Sequence, residues 1–109
     1  MNPGDDGVPE ISVEALHQRL TSGADVQVVD VREDWEWARG HIAGATHIPL
    51  QQLPDRLSEL DAARDVAFIC HLGGRSALAT RFALTRGLAG AVNVAGGMDD
   101  WEARSFSVE

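Results

Sequence analysis

Val66-Ala67-Phe68-Ile69-Cys70-His71-Leu72-Gly73-Gly74-Arg75-Ser76 is the stretch whose reading decides the fold. Val66 to Cys70 is continuously apolar, as in a central strand covered on both faces, and the paired glycines after it mark a turn. A helix is expected to begin near Ser76, with Leu78 and Phe82 at i and i+4 before a terminating Gly87. Working outward, further strand-length runs lie at Val26 to Val31, Thr46 to Ile48 and Ala91 to Val94, with helical patterns between several of them. This alternation predicts an α/β fold on a sheet of parallel strands. The strands ending at Val31 and Cys70 are expected to finish together at a functional edge.

The helical segments carry their own signals. Ser12 is placed to cap a helix bearing Leu16 and Leu20, and Gly23 follows as a terminator. Leu53, Leu57 and Leu60 form an i, i+4, i+7 stripe with Pro54 near its start. Both this stripe and the Leu78/Phe82 pair are expected to face the sheet as core. Of Trp35 and Trp37, two residues apart, at least one is expected to be exposed, since they cannot share a helical face.

With 109 residues and 44% hydrophobic content, the chain reads as one domain over residues 1–109. Met1 to Gly7 and the last few residues look like loose ends. No run approaches a membrane span, and the polar, acidic start does not read as a signal peptide, so a soluble cytoplasmic protein is expected. A formal charge of −8, with nine basic residues that form no cluster, argues against nucleic acid and anionic membranes. The single cysteine excludes an internal disulfide and a multi-thiolate metal site.

Any thiol chemistry therefore rests on Cys70. Gly73 and Gly74 allow successive N–H groups of the turn to point inward around the sulfur. The following helix terminus adds partial positive charge and Arg75 adds a fork of donors at the rim. Together these would stabilise an anion on sulfur without a general base. His71 adjoins the cysteine, but nothing in the sequence places His17, His41 or His47 beside it, so a Cys-His protease is not indicated.

Four segments in order resemble the rhodanese superfamily: Asp30-Val31-Arg32-Glu33; Gly40-His41-Ile42-Ala43-Gly44-Ala45 with Ile48-Pro49; the Cys70 loop; and Ala95-Gly96-Gly97-Met98 with Trp101. The resemblance implies a three-layer α/β/α domain on a five-stranded parallel sheet whose first strand lies near Glu10 and Ile11. It also implies a sulfurtransferase that moves a sulfane sulfur from thiosulfate or a persulfide donor to a thiophilic acceptor through a persulfide on Cys70. The loop His71, Leu72, Gly73, Gly74, Arg75 and Ser76 would hold that persulfide, with Arg75 orienting the donor or fixing the loop. Partners would be a small donor such as thiosulfate and a thiol, cyanide or protein acceptor, with no metal or other cofactor; a monomer is the default expectation for so small and acidic a domain. Phosphatases of the same superfamily have Cys-x5-Arg, usually with histidine before the cysteine; here the spacing is Cys70-x4-Arg75 and Ile69 precedes. The shorter loop suits one sulfur atom better than a tetrahedral oxyanion, which places a phosphatase or arsenate reductase behind sulfur transfer. A protein-fed sulfur-carrier or docking module with little small-molecule turnover is the other alternative.

Other polar groups read as structural. Asp30 and Arg32 at a strand end are expected to form an ion pair or turn hydrogen bonds in support of the site. His41 and His47 lack metal-ligand spacing and are expected to hydrogen-bond within turns. Asp99 and Asp100, after two glycines, are expected to cap a short helix. Glu33 and Glu36 would make the approach to the site locally acidic.

Overall fold

A computed structural model describes residues 7–109 of the chain. The expected loose start, Met1 to Gly7, lies outside these residues except for Gly7. The elements run β1 (Glu10–Ser12), α1 (Val13–Thr21), β2 (Gln27–Asp30), α2 (Asp34–Ala38), β3 (Thr46–His47), α3 (Leu53–Arg56), β4 (Val66–Ile69), α4 (Gly74–Thr85), β5 (Ala91–Ala95) and α5 (Gly97–Ala103). All five strands are parallel, in the order β1-β5-β4-β2-β3. β4 lies at the centre, where its uninterrupted apolar run is covered on both sides.

Side chains alternate across the sheet, as the two-residue strand period requires. Val29, Val66 and Phe68 pack on one side with Leu53, Ala79 and Ala83 of α3 and α4. Val28, Ala67, Ile69 and Val94 pack on the other with Val13 and Leu16 of α1 and Met98 and Trp101 of α5. These three layers are the α/β/α arrangement that the resemblance implies. Burial of Phe68 alone, fully enclosed, stabilises the fold by about 2–3 kcal/mol. Ser12 caps α1 by accepting the Ala15 N–H at 3.0 Å, as its position predicts.

Four expectations are corrected. The Leu53/Leu57/Leu60 stripe does not form one helix: α3 is a single turn between the 3-10 turns Leu50–Gln52 and Leu57–Glu59. Pro54 has no N–H to donate, and i to i+3 bonds close the neighbouring turns. All three leucines still reach the core.

Second, Leu78 does not face the sheet. It is 53% exposed, and α4 instead buries Ser76, Ala79, Thr80 and Ala83. Small side chains let this helix lie close against the sheet and turn Ser76 toward Cys70.

Third, α4 begins at Gly74, two residues before the expected start, because Gly73 occupies the cap position with φ of +114°. Fourth, the C-terminal residues are pinned. Glu109 and His41 exchange backbone hydrogen bonds, and Trp101 Nε1 donates to the Ser107 carbonyl at 3.1 Å. Among the described residues, no helix is long and apolar enough to cross a membrane.

Candidate active site

Parallel strands end at a common edge, and here the ends of β2 and β4 lie side by side, with Asp30 in register with Ile69. Cys70 is the next residue. It is not a purely loop residue as its position before the glycines implies: it is 1% exposed and packs with Val29, Val31 and Phe68 in the core. Only its sulfur faces the loop. The Gly73 N–H donates to Sγ at 3.1 Å and the Ser76 N–H at 3.3 Å, while the Ser76 hydroxyl lies 3.2 Å from Sγ. Ser76 is the third residue of α4, so its amide is one of the helix's free N–H groups. The cup on Sγ is therefore made by two amides, Gly73 and Ser76; His71 and Leu72 span the rim with exposed side chains.

Glycine is required at two places around this cup. Gly73 makes the left-handed turn that aims its own amide at sulfur. Gly97, at φ of +56°, begins α5 directly against the loop, and a Cβ there would collide with the carbonyls of Cys70 and His71. Those carbonyls instead accept the N–H groups of Met98 at 2.8 Å and Asp99 at 2.9 Å. The closing Gly-Gly segment thus serves as the floor of the loop.

Arg75 forms a two-pronged pair with Glu36 of α2, at 2.7 and 2.9 Å. The Arg75 hydrogen bonds lower the Glu36 pKa to about 2, against a smaller rise from partial burial and with help from the Glu33 N–H and the charges of Arg75 and Arg32. The same bonds raise Arg75 above its ordinary value. Glu36 is a partner that the sequence did not reveal; its position beside Glu33 showed only local acidity. An open groove of about 310 Å³ adjoins this pair, between Trp35 of α2, Arg39 just after that helix, His71 and Glu102. Trp35, which lines it, is 61% exposed, and Leu72, next to His71 in the loop, is 65% exposed.

Asp30 and Arg32 are buried and paired, with Arg32 Nε 2.9 Å from Asp30 Oδ1 and Nη2 2.8 Å from Oδ2. Arg32 also donates to the Gly40 carbonyl at 2.8 Å, so the pair ties β2 to the Gly40-His41 turn and makes no hydrogen bond to Sγ. His41 and His47 stack on Trp37 and hydrogen-bond the carbonyls of Trp37 and Arg32, the turn role expected of them. His17 stacks on Phe106 instead. Asp99 and Asp100 do not cap α5. Gly96 holds the cap position without a side-chain bond, and Asp100 pairs along the helix with Arg104. Among the described residues, no cluster of three or more His, Cys, Asp or Glu side chains is arranged to hold a metal.

One further residue reaches the cup unannounced. Asn93 of β5 is 1% exposed; its Oδ1 accepts the Ser76 hydroxyl, and its Nδ2 donates to the Gly73 carbonyl and Glu10 Oε2, both at 3.2 Å. A lone amide side chain inside the apolar run Ala91 to Val94 is the sequence signal that could have found it.

A family model described as "Rhodanese-like domain" matches residues 12–104. The chain is 39% identical over 98 residues to the putative sulfur carrier protein YrkF of Bacillus subtilis, covering 90% of this chain and 53% of that protein, so it spans about half of YrkF. It is 38% identical over 94 residues to a sulfurtransferase of Allochromatium vinosum, covering 86% of this chain and 88% of that protein. Among solved structures, SSP1007 from Staphylococcus saprophyticus superposes with a TM-score of 0.85 at 37% identity, over 93% of this chain and 98% of that one.

Proposed function

The chain belongs to the rhodanese-like domain family, and from that premise we propose that it acts as a sulfurtransferase whose Cys70 carries sulfur as a persulfide. The observation that carries this reading is the convergence of the Gly73 and Ser76 amides on one sulfur at a helix terminus. Such donors stabilise negative charge where a thiolate attacks and where a persulfide anion is left. In the first half-reaction, the Cys70 thiolate attacks the outer sulfur of the donor. The donor's sulfur–sulfur bond breaks, and with thiosulfate the sulfite leaves with the bonding electrons. An acceptor thiolate or cyanide then attacks the outer sulfur of the persulfide, and Cys70 departs as thiolate.

Arg75 acts here as the loop's anchor, because Glu36 already occupies its guanidinium fork. That pairing also favours a second reading, in which a protein persulfide supplies the sulfur, leaving as its thiolate, and thiosulfate serves poorly. The exposed Trp35 and Leu72 beside the loop offer apolar contact to such a donor.

The test is intact-mass spectrometry of reduced protein after brief exposure to thiosulfate or, separately, to a protein persulfide donor, with sulfite release followed and Cys70→Ser as control. Gain of one sulfur by wild type alone supports transfer, and the donor that loads it decides between the two readings. No uptake from either, or a phosphorylated cysteine formed from aryl phosphate, overturns the proposal.

A further inference from the structure

The Ser76 hydroxyl has one proton, and the structure fixes where it goes. Asn93 Nδ2 faces two groups that can only accept, the Gly73 carbonyl and the Glu10 carboxylate, so the amide cannot be turned over without losing both bonds. Its Oδ1, which can only accept, therefore faces Ser76 Oγ and takes that proton. Ser76 Oγ is left with lone pairs toward Cys70 Sγ, 3.2 Å away. A protonated Cys70 donates its S–H into that lone pair. An ionised Cys70 would meet it without a proton between them, unless the hydroxyl swung to sulfur and left Asn93 Oδ1 bare in a fully buried position.

We infer that Asn93 is a positioning residue: it holds the Ser76 hydroxyl turned from Cys70, and so withholds a third donor from negative charge on Sγ. A thiolate held by the Gly73 and Ser76 amides gains the hydroxyl as a third donor only when Ser76 gives up Asn93 and donates to sulfur instead, so the hydroxyl is a two-position element between the resting and the reactive cysteine. The same turn is needed after sulfur loading, when Sγ carries no proton. The consequence for loading rests on the sulfurtransferase reading; the effect on the thiol does not. The charged groups around Cys70 are Arg75 with its partner Glu36, Asp30 with Arg32 at the end of β2, Glu10 on β1, and Asp99 and Asp100 at the start of α5, with His71 adjoining. None of these is altered in the variants below.

The experiment is the rate of iodoacetamide alkylation of Cys70 against pH, in wild type, Asn93→Ala, Ser76→Ala and the double variant. Releasing the hydroxyl by Asn93→Ala is expected to lower the pH midpoint by about one unit, which is about tenfold faster alkylation well below the midpoint. In the Ser76→Ala background the Asn93 change is expected to do nothing more. If Asn93 served only to brace the Gly73 carbonyl, its loss would loosen the amides and leave the midpoint unchanged or higher. That result, or a shift that persists without Ser76, overturns the inference. Should Asn93→Ala fail to fold, the S–H infrared stretch of wild type decides: it is expected to be red-shifted by donation to Ser76 Oγ and to revert in Ser76→Ala, and an unshifted wild-type band overturns the inference. A shifted alkylation profile without sulfur uptake would sink the transfer reading and leave this one standing.

Discussion

Two arginine–carboxylate pairs stand at the same edge of the sheet and differ in almost every respect. Asp30 and Arg32 are two residues apart, buried, and complete each other's hydrogen bonds at the end of β2. Glu36 and Arg75 are 39 residues apart, and the Arg75 side chain remains 35% exposed. The first holds a strand end to its following turn. The second ties the cysteine loop to α2 and leaves Sγ to backbone amides. Alike in chemistry, one pair is a fixture of the scaffold and the other a strut on the site, because burial sets what a charge costs to leave alone.

The contrast can be broken most forcefully at the buried pair. Arg32→Ala leaves Asp30 as an uncompensated buried charge and the Gly40 carbonyl without its donor. It is expected to destabilise the protein by about 3–5 kcal/mol in urea unfolding. A loss below about 1 kcal/mol would mean that Asp30 finds water and the pair is no different from a surface one.

Glu36→Gln is expected to cost only about 1 kcal/mol of stability but to slow sulfur loading about tenfold, through a less well-held loop. Acid sharpens the point. The Glu36 pKa lies at about 2 in the folded protein against 4.5 for a free glutamate side chain, so the pair contributes fully above about pH 4.5 and its contribution disappears as pH falls toward 2. The difference in melting temperature between wild type and Glu36→Gln should therefore shrink steadily from pH 5 to pH 2. A constant difference would assign the effect to packing.

The smallest change is expected from Cys70→Ser. Although Cys70 is enclosed, its Sγ already faces three polar partners, which a hydroxyl can also meet. A stability change within about 1 kcal/mol in thermal unfolding is expected, together with complete loss of sulfur loading. A loss of several kcal/mol would make packing in the core the main role of this residue.

Much of the scaffold was legible because it rests on local rules. The β4 run, the Ser12 cap, the Asp30–Arg32 pair and the glycine turn after Cys70 each depend on residues within a few positions of one another. Misreadings arose where a local pattern met a neighbour. Leu78 and Phe82 look like a buried stripe, yet the closeness of α4 to the sheet selected Ser76, Ala79, Thr80 and Ala83 for that face. Pro54 lies in a leucine stripe that still packs inward, but the helix around it is broken into short turns.

By itself the sequence determined the parallel α/β plan, the central strand and the position of one cysteine before a glycine turn, since strand period, glycine freedom and helix caps are properties of short segments. Only the tertiary structure decided what surrounds that sulfur. Glu36 on α2, Asn93 on β5, Gly97 at the start of α5 and Glu10 on β1 come from four separate places along the chain and meet where the parallel strands end. Their contacts depend on distances across the sheet edge, which no local spacing encodes.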